Sequence, residues 1–230
     1  MKLLWQQIPS TTISEILSSS SFDGVVLDLE HGVFSEEKIF QCIQIITLKN
    51  KKCFVRITGP NKTQIRHYLD AGVSGIIFSD VRNEEYAKKI IEECYYPTQG
   101  GKRGLGLVRS NLWGDEKLIK EKPILIAQIE SLEGVKNLEV IKNFKFDFYL
   151  IGPYDLSSSL GIPGDFNNEK FKKCMEKIEE NLNKVEMGFH LVKKIDEEYP
   201  QFKDYGFLAF SLDTLLIKEG LKKISDLFKE

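Results

Sequence analysis

The stretches Ile124–Glu130, "ILIAQIE", and Phe146–Asp155, "FDFYLIGPYD", decide the reading of this chain. Each is an apolar run without polar alternation, the pattern of a strand covered on both faces, and each ends in a carboxylate. A buried negative charge costs several kcal/mol unless it is paired or meets a cation. Two such carboxylates at neighbouring strand tips point to a hard divalent metal at the mouth of a parallel α/β sheet, and so to an enzyme.

Working outward, the same kind of run recurs at Leu3–Gln6, Val25–Glu30, Cys53–Ile57, Gly75–Ser79, Val185–Phe189 and Phe207–Leu212. Amphipathic helix patterns separate them, at Thr12–Ser19, Ser35–Lys49, Lys62–Asp70, Asn83–Cys94, Leu132–Asn143, Asn168–Lys184, Ile195–Phe202 and Thr214–Phe228. Ser35 and Asn83 stand before acidic pairs as N-caps, and Gly72 and Gly161 mark helix exits. Alternation of this kind from end to end predicts one (β/α)8 TIM barrel occupying residues 1–230 as a single domain. A doubly wound sheet is disfavoured because no GxGxxG opens a helix after an early strand. Tyr95–Glu121 breaks the rhythm and is expected to form a rim or wall of the active site.

Composition narrows the function classes. The chain has 230 residues, 42% hydrophobic, with a net charge of −2 and both signs interspersed. No basic block suggests nucleic acid, and no apolar run is long enough to span a membrane. The N-terminus is too short in apolar residues for a signal peptide. Four cysteines stand far apart, as buried thiols of a cytoplasmic protein do.

In a barrel, chemistry sits at the C-terminal strand ends. The polar residues expected there are Asp28, Glu30, His31, Arg56, Gln128, Glu130, Asp155 and His190. Glu130 and Asp155 offer only oxygen, which suits Mg2+, Mn2+ or Co2+ with positions left open for a chelating 2-keto acid. Arg56 offers a planar donor fork to a substrate carboxylate and to a developing enolate, and His31 is a candidate base. No strand run carries an interior lysine, which disfavours Schiff-base chemistry.

The motifs "FDGVVLDLEHG", "VRI", "LDAGVSGII", "YYPTQGGKRGLG", "AQIES", "IGPYDLSSSLGIPG" and "LDTLL" run in order from Phe22 to Leu216. Together they resemble the HpcH/HpaI family of metal-dependent class II pyruvate aldolases. The resemblance implies a (β/α)8 enzyme that reversibly cleaves a 4-hydroxy-2-oxo acid to pyruvate and an aldehyde. It implies Glu130 and Asp155 as metal ligands, Arg56 as the pyruvate-binding residue, and His31 as a base oriented by Asp70. Gln128, Gly152 and Pro153 would line the site, with Asp28 beneath it. It further implies a homo-oligomer, a trimer or hexamer, with the helix at 214–228 packed on a neighbouring subunit. Ser79 stands where the family usually has proline, Asp80 adds a charge beside it, and His190 replaces a commonly apolar residue; all three bear on the choice of aldehyde. Two rival readings are a citrate lyase β-like acyl-CoA lyase and a barrel that binds a keto or sugar acid without turnover.

Overall fold

Eight parallel strands close on themselves in the computed structural model, each hydrogen-bonded to the next and β8 to β1. The structure describes residues 1–119 and 121–228. In chain order the elements are β1 (Lys2–Gln6), α1 (Thr11–Ser18), β2 (Gly24–Asp28), α2 (Glu36–Leu48), β3 (Lys52–Thr58), α3 (Lys62–Ala71), β4 (Gly75–Ser79) and α4 (Glu84–Cys94). They continue with β5 (Ile124–Ile129), α5 (Leu132–Lys136), α6 (Leu138–Ile141), β6 (Phe148–Ile151), α7 (Pro153–Ser159), α8 (Glu169–Asn181), β7 (Met187–Leu191), α9 (Ile195–Phe202), β8 (Phe207–Phe210) and α10 (Asp213–Ser225). The (β/α)8 TIM barrel read from the alternation is the observed fold.

The strands are apolar throughout because both faces are buried. Leu3, Trp5, Val26, Phe54, Ile77, Ile126, Leu150, Phe207 and Ala209 fill the barrel interior. The opposite faces pack against the helices in one continuous outer layer that includes Val25, Leu27, Val55, Ile76, Phe78 and Ile151. Large inner side chains need small neighbours. A Cβ on Gly188 would lie 2.7 Å from a ring carbon of Phe207, so glycine there is a requirement of close packing.

Capping follows the expected chemistry. The side chains of Ser35 and Asn83 accept hydrogen bonds from the backbone N–H groups of Lys38 and Tyr86. Gly72 ends α3 with a φ of 93°, a conformation that favours glycine.

Several boundaries differ from the sequence reading, each for a local reason. β2 stops at Asp28 and β5 at Ile129, so Glu30 and Glu130 open loops instead of closing strands. β7 lies two residues later than expected, after a 3-10 turn at Lys184–Glu186, which places His190 inside the strand and not beyond it. The Leu132–Asn143 pattern breaks at Asn137 into two short helices and a 3-10 turn. Asp155 lies in the first turn of α7, a short helix that the sequence pattern does not announce, started by Pro153 at a position where proline loses no hydrogen bond. The Tyr95–Glu121 segment contains 3-10 turns at Pro97–Gln99 and Arg109–Gly114. Because it joins α4 to β5, it lies at the end of the barrel opposite the C-terminal strand tips, so its described residues do not form the expected wall of the active site within one chain.

Asp213 ties the barrel's last unit to its first. Its buried carboxylate accepts the backbone N–H groups of Gln7 (3.0 Å) and Ile8 (2.9 Å), just past β1. Asp213→Ala leaves both half-buried donors without their partner, at a cost of about 1 kcal/mol. The urea midpoint is expected to fall with an unchanged slope; an unchanged midpoint would show that this tie contributes nothing.

Candidate active site

The strongest interaction at the C-terminal mouth joins β2 to β3. Asp28 and Arg56 are cross-strand partners in register. Arg56 Nε donates to Asp28 Oδ1 at 2.8 Å and Nη2 to Oδ2 at 2.7 Å, a two-point fork between buried groups. Nη1 stands 3.0 Å from Glu30 Oε2, which also accepts the Ser79 hydroxyl at 2.7 Å. Burial alone would push the Asp28 carboxyl up, but the Arg56 guanidinium and the Gln7 amide hold it down at about 2. The fork expected to face a substrate carboxylate is therefore taken by Asp28. Of the five guanidinium N–H groups, two stay free of these partners.

Glu130 has the opposite surroundings. Its Oε1 accepts the backbone N–H of Asp80 at 2.8 Å, and its Oε2 accepts the side-chain amide of Gln128. That Asp80 N–H reaches Glu130 because Asp80 adopts a left-handed φ of 46°, a region open to Asp but uncommon outside glycine. Burial, then the nearby charges of Glu30 and Asp155, push the Glu130 carboxyl up to about 8. Arg56 offsets only part of this, being committed to Asp28 and Glu30.

These residues fit a hard cation. The carboxylate is buried among like charges, and the Oε1 atom of neighbouring Gln128 is buried with no partner. A Cβ on Gly152 would lie 2.6 Å from Glu130 Oε2, so glycine there keeps the space beside the carboxylate open. Among the described residues no three His, Cys, Asp or Glu side chains group to hold a metal ion. Two carboxylates with other ligands drawn from water or substrate suit Mg2+ or Mn2+.

A cavity of about 420 Å³ opens over this ring. It is lined by His31, Arg56, Gln128, Gly152, Pro153 and Asp155, and also by Trp5, Tyr154, His190, Lys193 and Leu212. His31 is exposed at its edge, and its ring makes no hydrogen bond among the described residues. His190 stacks on Trp5 with ring centroids 4.5 Å apart, and Arg56 also lies against the Trp5 ring at 5.0 Å.

Asp70 is not at this site. It sits at the end of α3, which has returned to the opposite end of the barrel before β4 begins, and it pairs with Arg103 at 2.6 Å. Within one chain it cannot orient His31. Sequence reasoning also passed over Ser79 as a partner of Glu30 and Trp5 as the plate beneath His190. An inward-facing tryptophan one residue before the end of β1 was the available signal for the latter.

The profile of the HpcH/HpaI aldolase/citrate lyase family matches residues 2–199. Among similar proteins are a 2-keto-3-deoxy-L-rhamnonate aldolase of Klebsiella pneumoniae, 27% identical over 98% of this chain and 88% of its own. One from Salmonella gallinarum is 26% identical with the same coverage. Among solved structures, an HpcH/HpaI aldolase from Desulfitobacterium hafniense superimposes with a TM-score of 0.87 at 22% identity, covering all of this chain and 92% of the other. The citrate synthase SbnG gives a TM-score of 0.85 at 26% identity, over 98% of this chain and 91% of its own. With the profile spanning most of the barrel, the chain belongs to the HpcH/HpaI aldolase/citrate lyase family.

Proposed function

We propose that this protein is a divalent-metal-dependent class II pyruvate aldolase. It reversibly cleaves a 4-hydroxy-2-oxo acid to pyruvate and an aldehyde. One observation carries the reading: Glu130 lies buried beside Glu30 and Asp155, while Arg56, the only buried cation of the cavity wall among the described residues, is spent on Asp28 and Glu30. Glu130 and Asp155 would hold Mg2+, Mn2+ or Co2+, which when bound supplies a Lewis-acid centre for the adjacent carboxylate and carbonyl oxygens of a 2-oxo acid. The relatives named for a 2-keto-3-deoxy acid support that substrate class.

The chain's own groups then divide the work. The two unengaged N–H groups of Arg56 bind substrate oxygen where negative charge gathers, already oriented by Asp28. Gln128 and the Gly152–Pro153 backbone bound the same pocket. His31 takes the proton of the C4 hydroxyl, the C3–C4 bond breaks, and its electron pair becomes the pyruvate enolate, which a proton at C3 converts to pyruvate. Asp70 can assist His31 only if a second copy of the chain brings the two together. We therefore read the protein as a homo-oligomer, a trimer or hexamer. α10, which carries exposed Ile217, Leu221 and Ile224, is available to pack on a neighbour. All four cysteines are free buried thiols, and no described helix is long and apolar enough to cross a membrane. This supports a cytoplasmic setting. Similarity to citrate synthase SbnG favours a second reading, carbon–carbon chemistry on a citrate-like acid or an acyl-CoA.

Incubation with pyruvate, Mn2+ and a panel of aldehydes is expected to give aldol products that disappear with a chelator. Metal-dependent pyruvate binding without product would favour a non-catalytic barrel, and product formation only from an acyl-CoA would favour the second reading. Arg56→Lys keeps the charge but loses both the Asp28 fork and the Glu30 contact. A hundredfold loss in kcat/KM, about 3 kcal/mol, is expected, and unchanged retro-aldol kinetics would remove Arg56 from the mechanism.

Glu130→Gln tests the charge argument through stability. A carboxyl raised to about 8 in the fold favours the folded state fully below its ordinary value of 4.5, and that advantage is lost as pH rises towards 8. A neutral amide escapes this loss, and Gln128 can turn its orphaned oxygen towards it. The metal-free variant should therefore melt higher than the wild type by a margin that widens from pH 5 to pH 8. The same variant should lose the Mn2+-induced rise in Tm. A variant less stable than the wild type at pH 8 would contradict the proposed repulsion.

A further inference from the structure

His190 is the one imidazole inside the barrel, and its hydrogen bonding is fixed by its surroundings. Its Nε2 lies 2.9 Å from the carbonyl oxygen of Ser211. A carbonyl can only accept, so Nε2 carries the proton. Ser211 presents that carbonyl from a left-handed φ of 50°, while its own N–H donates to Leu191 O at 2.7 Å. A non-glycine residue held in this region beside a cavity is a built feature. The ring rests on Trp5, which sets its plane. Burial lowers the basicity of His190 to about 4, so near neutral pH the ring is uncharged and Nδ1 bears a lone pair.

That second nitrogen is open. The buried polar atoms without a partner among the described residues are Trp5 Nε1, Ser18 Oγ, Asp80 Oδ1, Arg103 Nε and Gln128 Oε1. Nδ1 of His190 makes no hydrogen bond among the described residues, and His190 lines the cavity. Around it the β7–β8–β1 wall is otherwise apolar, formed by Trp5, Val192, Leu212 and Leu215. Gln7 is turned to Asp28, and Lys193 stands at the exposed rim. His190 itself stands on β7, hydrogen-bonded to β6, whose following helix α7 carries Asp155, so a substrate group at Nδ1 would share the cavity with the proposed metal site.

We propose that His190 is a specificity-determining residue whose Nδ1 accepts a hydrogen bond from a hydroxyl of the aldehyde partner, selecting short hydroxyaldehydes over unsubstituted alkyl aldehydes and over aldehydes ending in a carboxylate. The inference rests on the aldolase reading above. An acceptor lone pair held in an apolar wall rewards an O–H donor. It gains nothing from a methyl group and repels a carboxylate oxygen. Sites that hydrogen-bond a substrate hydroxyl reject analogues lacking it far more strongly than apolar pockets reject a changed methylene.

The test compares glycolaldehyde, acetaldehyde and a carboxylate-terminated semialdehyde as partners of pyruvate with the Mn2+-loaded protein. The wild type is expected to favour glycolaldehyde over acetaldehyde by about tenfold or more in kcat/KM. In His190→Phe, which keeps an aromatic ring on Trp5, that ratio should fall about tenfold. His190→Gln, which retains an acceptor oxygen, should keep part of it and guards against a Phe variant that fails to fold. The wild-type ratio in folded His190→Phe, or its complete loss in His190→Gln, overturns this inference alone, as does a wild-type preference for acetaldehyde or the semialdehyde. No aldol product from any of the three would overturn the aldolase reading and this inference with it.

Discussion

One imbalance of charge organises the mouth of this barrel. Glu30, Glu130 and Asp155 come together there, and the single buried guanidinium beside them is held by Asp28 and Glu30. Carboxylates without a partner in a low-dielectric setting either take up protons or recruit a cation. The first outcome would leave Glu130 neutral and of little use as a ligand. The second turns a cost in stability into a binding site.

The scaffold decides which carboxylate is left over. At the tip of β4 the Ser79 hydroxyl holds Glu30, and the Asp80 N–H holds one oxygen of Glu130. Two adjacent residues thus keep one acid on Arg56 and turn the other towards Gly152 and Gln128. The closed barrel makes such an arrangement firm, because each strand tip is fixed by hydrogen-bonded neighbours on both sides. The left-handed backbone at Asp80 and Ser211 adds local strain just past the tips of β4 and β8. Strain and like-charge repulsion placed around a site are where proteins exchange stability for function.

Much of this was legible in the chain. Strand runs buried on both faces alternated with capped amphipathic helices, and that rhythm permits few folds besides a barrel. The positions of Asp155, Arg56, Gln128, His31 and His190 around one cavity, with Glu130 bonded to Gln128 behind it, follow from their places at or near strand ends. What escaped depends on side-chain direction and on distance across the fold. Nothing in "VRI" says that the guanidinium turns back to Asp28 and not outward. The helix at Pro153–Ser159 is only seven residues long and opens with proline after glycine, so it reads as a turn. Asp70 illustrates a different limit: a residue at the end of α3 is near β4 in sequence yet a barrel's length from His31. A shift of two residues in β7 likewise moved His190 from a loop into the wall.

The most direct test is the structure of the protein crystallised with Mn2+, with anomalous diffraction recorded at the manganese edge. The account requires one strong peak within about 2.3 Å of carboxylate oxygens from both Glu130 and Asp155. A peak elsewhere, with those two carboxylates turned away from each other, would contradict the central claim while leaving the barrel intact.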